Sequence, residues 1–191
     1  MNETTEIASA RLSIVPFCER HLTDRYVGWL NDAEVVRYSE QRFTRHTLES
    51  CRKYWMTFRG SPHYFWAIET SGGSSAGEHI GNINAYLDPR HGLADVGILI
   101  GERSAWGKGY GTEAWIAVCD WLLRSAGVRK ITAGTLSCNH GMIAIMDRAG
   151  MIEDGRRSRQ QILDGGEVDI IHRALFACDW DESIRVRNSV R

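Results

Sequence analysis

Gly107, Gly109 and Gly111 alternate within Trp106-Gly107-Lys108-Gly109-Tyr110-Gly111-Thr112, between a strand-like run and the most strongly periodic helical segment of the chain. Glycine destabilises regular structure, so this density marks backbone that bends sharply or lies close to a ligand. A helix opening directly behind such a loop turns its free N–H groups and the positive end of its dipole into it. That pairing suits a phosphate or pyrophosphate. Two familiar phosphate motifs fail on spacing. A Walker loop has four residues between its first glycine and Gly-Lys, then Ser or Thr; here Gly101 and Gly107-Lys108 are separated by five, and Gly109 follows the lysine. A dinucleotide fingerprint reads G-x-G-x-x-G after the first strand of a βαβ unit, whereas this loop reads G-x-G-x-G after a meander. The remaining alternative is a ligand-free strand-to-helix turn, which needs only one or two glycines.

The elements that must hold this loop are legible from periodicity. Arg11 to Val15 reads as an opening strand ended by Pro16. Leu22, Tyr26, Trp29 and Leu30 recur at helical spacing, as do Leu48, Cys51, Trp55 and Phe58 behind an N-cap at Thr47. Three strand signals follow: His63 to Glu69, Ile80 to Leu87 and Ala94 to Ile100, with a Ser/Gly-rich hairpin connection at Ser71 to Gly77. In the third, Ala94, Val96, Ile98 and Ile100 share one face, and Asp95, Gly97 and Leu99 the other. Behind the loop, Ala114, Ala117, Val118, Trp121, Leu122 and Ser125 form a helical stripe that Gly127 stops. Trp115, Ile116 and Leu123 make its other side apolar too, which predicts burial on more than one face. Arg129 to Thr135 is strand-like, Asn139 caps a short helix that Gly150 closes, and Asp164-Gly165-Gly166 turns between two last strands. Early hairpins and a late β-α-β-α-β order predict a mixed α/β sheet.

The chain has 191 residues, 43% of them hydrophobic and 25% charged, which fits one soluble domain with a sizeable core. A formal net charge of −1 argues against a nucleic-acid or membrane-surface partner. No apolar run is long enough to span a bilayer, and the acidic start lacks the apolar stretch of a secretory signal. Cys18, Cys51, Cys119, Cys138 and Cys178 are odd in number and without C-x-x-C pairs. Reduced thiols and a cytoplasmic location are expected, with no metal site.

Together these residues resemble the GNAT N-acetyltransferases, in the form of the RimJ/RimL-type branch. The glycine loop is similar to that family's acetyl-CoA pyrophosphate loop, Gln/Arg-x-x-Gly-x-Gly/Ala, with Trp106 at the first position and Gly109 and Gly111 at the glycines. Ala94-Asp95-Val96-Gly97 resembles the branch's Ala-Glu-Ile-Gly strand. Asn139 to Met151 resembles its Asn-x-x-Ser helix, and Glu153, Gly155, Arg157, Gly166 and Asp169 its closing hairpin. The resemblance covers roughly residues 11 to 176. It implies a GNAT-like fold: one central, mostly antiparallel twisted sheet of about seven strands with flanking helices. Residues 11–178 would form the domain, between tails at 1–10 and 179–191.

What the resemblance implies for function is acetyl-CoA-dependent acetylation of a primary amine by direct attack. Backbone N–H groups from Trp106, Gly107, Lys108, Gly109, Tyr110, Gly111 and Thr112 would hold the pyrophosphate. The strand bearing Ile98 and Ile100 would pair with pantetheine, in a gap beside the strand Lys130 to Thr135. Lys108 is either a phosphate partner or a solvated lysine, and Asn139 contacts pantetheine, caps its helix, or both. Asp95 stands where the branch carries Glu, as a base acting through water or as a strand-end carboxylate facing solvent. Two residues depart from the pattern: Met146 replaces the Tyr that many members use to protonate the thiolate, and Met142 the Ser of Asn-x-x-Ser. The expected acceptor is a small-molecule amine or amino sugar, with a protein N-terminus second and a non-catalytic acyl-CoA-binding module as the other class. Arg37, Arg42, Arg45 and Arg156, Arg157, Arg159 either meet an anionic acceptor group or form a solvated basic face. His172, where the branch commonly carries Tyr in its final strand, reads as a core or interface histidine rather than a base. A homodimer is compatible with the sequence, which carries no signal of oligomeric state.

Overall fold

The computed structural model describes residues 5–72 and 76–180. An eight-stranded sheet carries two helices on each face. The strands are β1 (Ile7–Ala8), β2 (Leu12–Pro16), β3 (Tyr64–Thr70), β4 (His79–Asp88), β5 (Leu93–Ile100), β6 (Lys130–Leu136), β7 (Ile152–Leu163) and β8 (Gly166–Phe176). The helices are α1 (Asp24–Asn31), α2 (Leu48–Met56), α3 (Tyr110–Arg124) and α4 (His140–Arg148). Spatial order is β1-β2-β3-β4-β5-β6-β8-β7, and every neighbouring pair is antiparallel except β5–β6.

The sheet exceeds the expected seven strands because it begins inside the segment expected to be a tail. Ile7 and Ala8 pair with Ile14 and Ser13. The other tail lies mostly outside the described residues. Of the Ser71-to-Gly77 connection, residues 73–75 are also outside them; its flanks are joined by Gly77 N–H donating to the Thr70 carbonyl at 2.6 Å.

Helix starts follow local chemistry. Thr23, Thr47 and Asn139 cap α1, α2 and α4 with side-chain oxygens that accept N–H bonds from the first turn. Gly109 precedes α3 with φ +81° and offers no side chain, so that helix alone among the four has no side-chain cap. Asp164 (φ 51°) and Gly165 (φ 80°) make a two-residue left-handed turn between β7 and β8, matching the strand twist.

One face of the sheet buries Trp66, Ile83 and Val96 against Trp115, Val118 and Leu122 of α3 and Met146 of α4. The opposite face buries Phe17, Phe65 and Ala67 against Tyr26, Trp29 and Leu30 of α1 and Cys51 of α2. β5 obeys its alternation: Ala94, Val96, Ile98 and Ile100 face α3, and Leu99 packs on the α1 side. Trp115, Ile116 and Leu123 are all buried, so α3 is covered on more than one side. Burying each large apolar side chain is worth about 1.5–3 kcal/mol, which anchors α3, and with it the glycine loop, to the sheet.

Candidate active site

The glycine loop is held from three directions. Trp106 stacks no core residue; its indole N–H donates to the Ile100 carbonyl at 2.8 Å and ties the loop to the end of β5. Arg11, at the start of β2, donates through Nη1 to the Lys108 carbonyl at 3.1 Å and lies 4.7 Å from the Tyr110 ring centre. Glu113, in the first turn of α3, accepts from the Arg11 backbone N–H and Nε, both at 2.7 Å, and from Ser9 Oγ at 2.8 Å. This clamp joins residues about a hundred positions apart, and no spacing in the sequence announces it.

Gly107 (φ +72°) and Gly109 (φ +81°) flank Lys108 in left-handed conformation, which opens a concave run of N–H groups toward α3's uncapped end. Gly111 lies inside α3 for a different reason: a Cβ there would stand 3.1 Å from Ile145 Cδ1. Thr112 is buried, Tyr110 half-buried, and Lys108 exposed without an ion pair among the described residues. The bare glycines and the uncapped helix have the features of an anion site and suit a pyrophosphate.

Beside the loop the sheet divides. The parallel ladder between β5 and β6 pairs only Leu93, Ala94 and Asp95 with Lys130, Ile131 and Thr132. Beyond Asp95 the strands part, and the β6-facing backbone from Val96 to Ile100, including Ile98 and Ile100, has no strand partner there among the described residues. An extended, amide-bearing arm can complete such an edge. Asn139 stands across the gap at the head of α4, where Oδ1 accepts the Met142 N–H at 3.2 Å and Nδ2 donates to Thr135 Oγ1 at 3.0 Å.

Asp95 sits at the parting point. Thr132 Oγ1 donates to its Oδ2 at 2.7 Å. The carboxylate opens into a cleft of about 410 Å³ with Thr132, Asp154, Gly155, Arg156, Arg157 and His172. It is reachable from solvent, yet the cleft walls exclude enough water to raise its pKa above the ordinary 3.8; Thr132 and His172 act in the lowering direction. Met146, at the position of the family tyrosine, is fully buried between α4 and the sheet, so no proton donor acts from there.

The expected acceptor arginines divide. Arg37 pairs with Asp164 at 2.5 Å, and Arg42 donates to Gln161 at 3.1 Å, so the β7–β8 tip is drawn onto the segment between α1 and α2. Arg156 pairs with Asp169, while Arg157 lines the cleft. Arg45 lines a separate hollow with Leu30, Val36 and Phe43. His172, expected as a core or interface histidine, instead lines the cleft, and Gly134 makes room for it, since a Cβ there would stand 3.1 Å from the His172 ring.

The family model of the acetyltransferase (GNAT) domain matches residues 11–152. The chain belongs to the GNAT acetyltransferase family. It is accordingly an N-acetyltransferase of the RimJ/RimL type with acetyl-CoA as cosubstrate. The chain is similar to human alpha/beta-tubulin-N-acetyltransferase 9, with 24% identity over 147 residues, 70% of this chain and 68% of that one. Among solved structures, RimJ of Mycobacterium smegmatis in complex with CoA-disulfide superposes with a TM-score of 0.80 at 17% identity, covering 97% of this chain and 93% of that one. Spermidine N-acetyltransferase of Vibrio cholerae, in complex with CoA and spermine, superposes at 0.78 with 14% identity, covering 90% and 99%. The GNAT fold is thereby shown, here with an eight-stranded mixed sheet. Among the described residues no helix is long and apolar enough to cross a membrane.

Proposed function

We propose that this GNAT enzyme acetylates a primary amine of a small molecule or amino sugar by direct attack in a ternary complex, with Asp95 as the base. The observation that carries the reading is the position of Asp95, the last β5 residue paired to β6, with its carboxylate open to the cleft. The N–H groups from Trp106 to Thr112 hold the pyrophosphate, and the unpaired β5 edge from Val96 to Ile100 takes the pantetheine arm. The thioester then lies at the parting point. An ammonium has no lone pair, so the acceptor must lose a proton before it attacks; Asp95 takes that proton, directly or through water. Thr132 fixes the carboxylate's orientation. The Arg37–Asp164 and Arg42–Gln161 contacts hold the β7–β8 tip against the segment between α1 and α2, which favours a small acceptor over the body of a folded protein.

A second reading, acetylation of a protein N-terminus, is supported by the similarity to the human tubulin acetyltransferase, whose acceptor is a protein. Thiol release from acetyl-CoA separates the two when measured against polyamines, amino sugars and short peptides with free N-termini. Turnover confined to the peptides overturns the small-acceptor reading. Acetyl-CoA binding without turnover of any amine overturns both and leaves an acyl-CoA-binding module.

A further inference from the structure

Among the described residues, His172 is the one histidine that faces the Asp95 cleft, and its imidazole holds no hydrogen bond. Other histidines anchor structure. His21 accepts the Cys18 N–H at 2.9 Å and contacts Glu69 at 2.9 Å, His63 accepts the Leu87 N–H at 3.0 Å, and His79 meets Asn82 at 3.0 Å. The His172 Nε2 is shut off from water with no partner, an arrangement that costs stability unless it serves something else.

The surroundings are cleared for this ring. His172 pairs across the sheet with Gly134 on β6 and Gly155 on β7, so neither neighbouring strand offers a side chain. The ring leans toward β6: a Cβ on Gly134 would meet Nδ1 at 3.1 Å and Cε1 at 3.2 Å. Gly134 lies two residues past Thr132, the last β6 residue paired to β5. The imidazole therefore leans toward the mouth of the gap, level with the point where the strands have parted. Across that mouth stands Asp95. The remaining charged groups of the cleft are Asp154, paired to Lys130 at 2.8 Å, Arg156, paired to Asp169 at 2.5 Å, and the exposed Arg157.

We propose that His172 is a catalytic residue that delivers the proton to the departing coenzyme A thiolate, filling the role that the buried Met146 cannot. The proposal rests on the reading that the thioester occupies the β5–β6 gap. The amine nitrogen bonds to the carbonyl carbon as the C–S bond breaks, and the electron pair of that bond leaves on sulfur. The ammonium proton that Asp95 first takes passes to solvent before the attack; as nitrogen attacks, the Asp95 carboxylate takes its second proton, and sulfur takes one from the His172 imidazolium. Transfer of the proton from Asp95 to His172 restores both groups, so one proton moves from nitrogen to sulfur over the cycle.

The test needs no knowledge of the acceptor. Wild-type protein and His172→Gln are titrated with coenzyme A and with desulfo-coenzyme A, which lacks the sulfur. The imidazole resonances are followed by NMR, and the bound thiolate by its ultraviolet absorbance against pH. Coenzyme A, but not the desulfo compound, is expected to shift the His172 resonances. The bound thiol is expected to ionise about one unit lower in wild type than in His172→Gln. Identical resonances with both compounds, or the same thiol ionisation in both proteins, overturns the proposal. Once an acceptor is known, His172→Gln should lower kcat by about 10²-fold with little change in acetyl-CoA affinity. His172→Phe, which removes the unpaired nitrogen, should fold with an unchanged or higher melting temperature. Absence of turnover on every amine tests the acceptor reading, whereas the coenzyme A titrations test His172.

Discussion

Replacing Gly109 separates backbone strain from charge in the glycine loop. The backbone at Gly109 has φ +81°, and an added Cβ would meet only Arg11 Nη2, at 3.5 Å, an ordinary contact. Gly109→Ala and Gly109→Glu therefore share one penalty, the left-handed conformation, of about 1–2 kcal/mol. For a chain of this size that lowers Tm by roughly 2–8 °C. The glutamate differs by its charge. It sits at the uncapped end of α3 beside Arg11, where a negative charge is worth about 0.3–1 kcal/mol, so the Glu variant should be at least as stable as the Ala variant. Binding moves the other way. A carboxylate about 6 Å from a pyrophosphate with two charges repels it by roughly 1.4 kcal/mol at the dielectric constant of water and about 5.5 kcal/mol at an effective value of 20. Acetyl-CoA should bind Gly109→Glu at least about tenfold more weakly than Gly109→Ala, and the ratio should shrink in ~1 M salt as screening shortens to about 3 Å. Calorimetric titration at low and high salt reads the affinity, and thermal denaturation reads the stability. Equal affinities of the two variants at low salt refute the pyrophosphate assignment.

Other consequences are equally direct. The acid limb of kcat/KM should lie above the ordinary aspartate value of 3.8, with activity lost as pH falls and Asp95 takes up a proton; Asp95→Asn should abolish turnover with acetyl-CoA affinity retained. Thr132→Val removes a bond that favours the ionised carboxylate, so it should move that limb to higher pH, and an unmoved limb would exclude Asp95 as its source. Gly101→Ala places a Cβ inside the Trp29 indole and should cost about 3 kcal/mol in chemical denaturation, without a local effect on the cleft. His79 is buried and its pKa depressed from 6.5 to about 4, so the unfolded chain binds the proton more readily. Stability should therefore decline as pH falls from about 6.5 toward 4, and His79→Gln should flatten that part of the curve in denaturant titrations.

Local chemistry made much of this protein legible from its sequence. The Thr47 cap, the alternation along β5, the Asp164-Gly165 turn and the glycines before α3 depend on neighbours a few residues away, so residue type and spacing suffice. The first strand escaped because two residues, Ile7 and Ala8, carry no periodicity. They are held by pairing to β2 and by the Ser9–Glu113 contact, both of which exist only after the chain has closed on itself. The glycine loop could be read from its spacing, but the Arg11–Glu113 clamp that sets its shape could not. The same limit applies to the groups proposed to react. Sequence brought Asp95 forward and favoured a core or interface role for His172, because nothing local tells which groups a strand histidine will face. Tertiary structure parts β5 from β6 just past Asp95, sets glycines on either side of His172, and turns both side chains into one cleft. Ligand-binding backbone is written in single residues, whereas a proton path is a distance between strands, and only the folded sheet defines it.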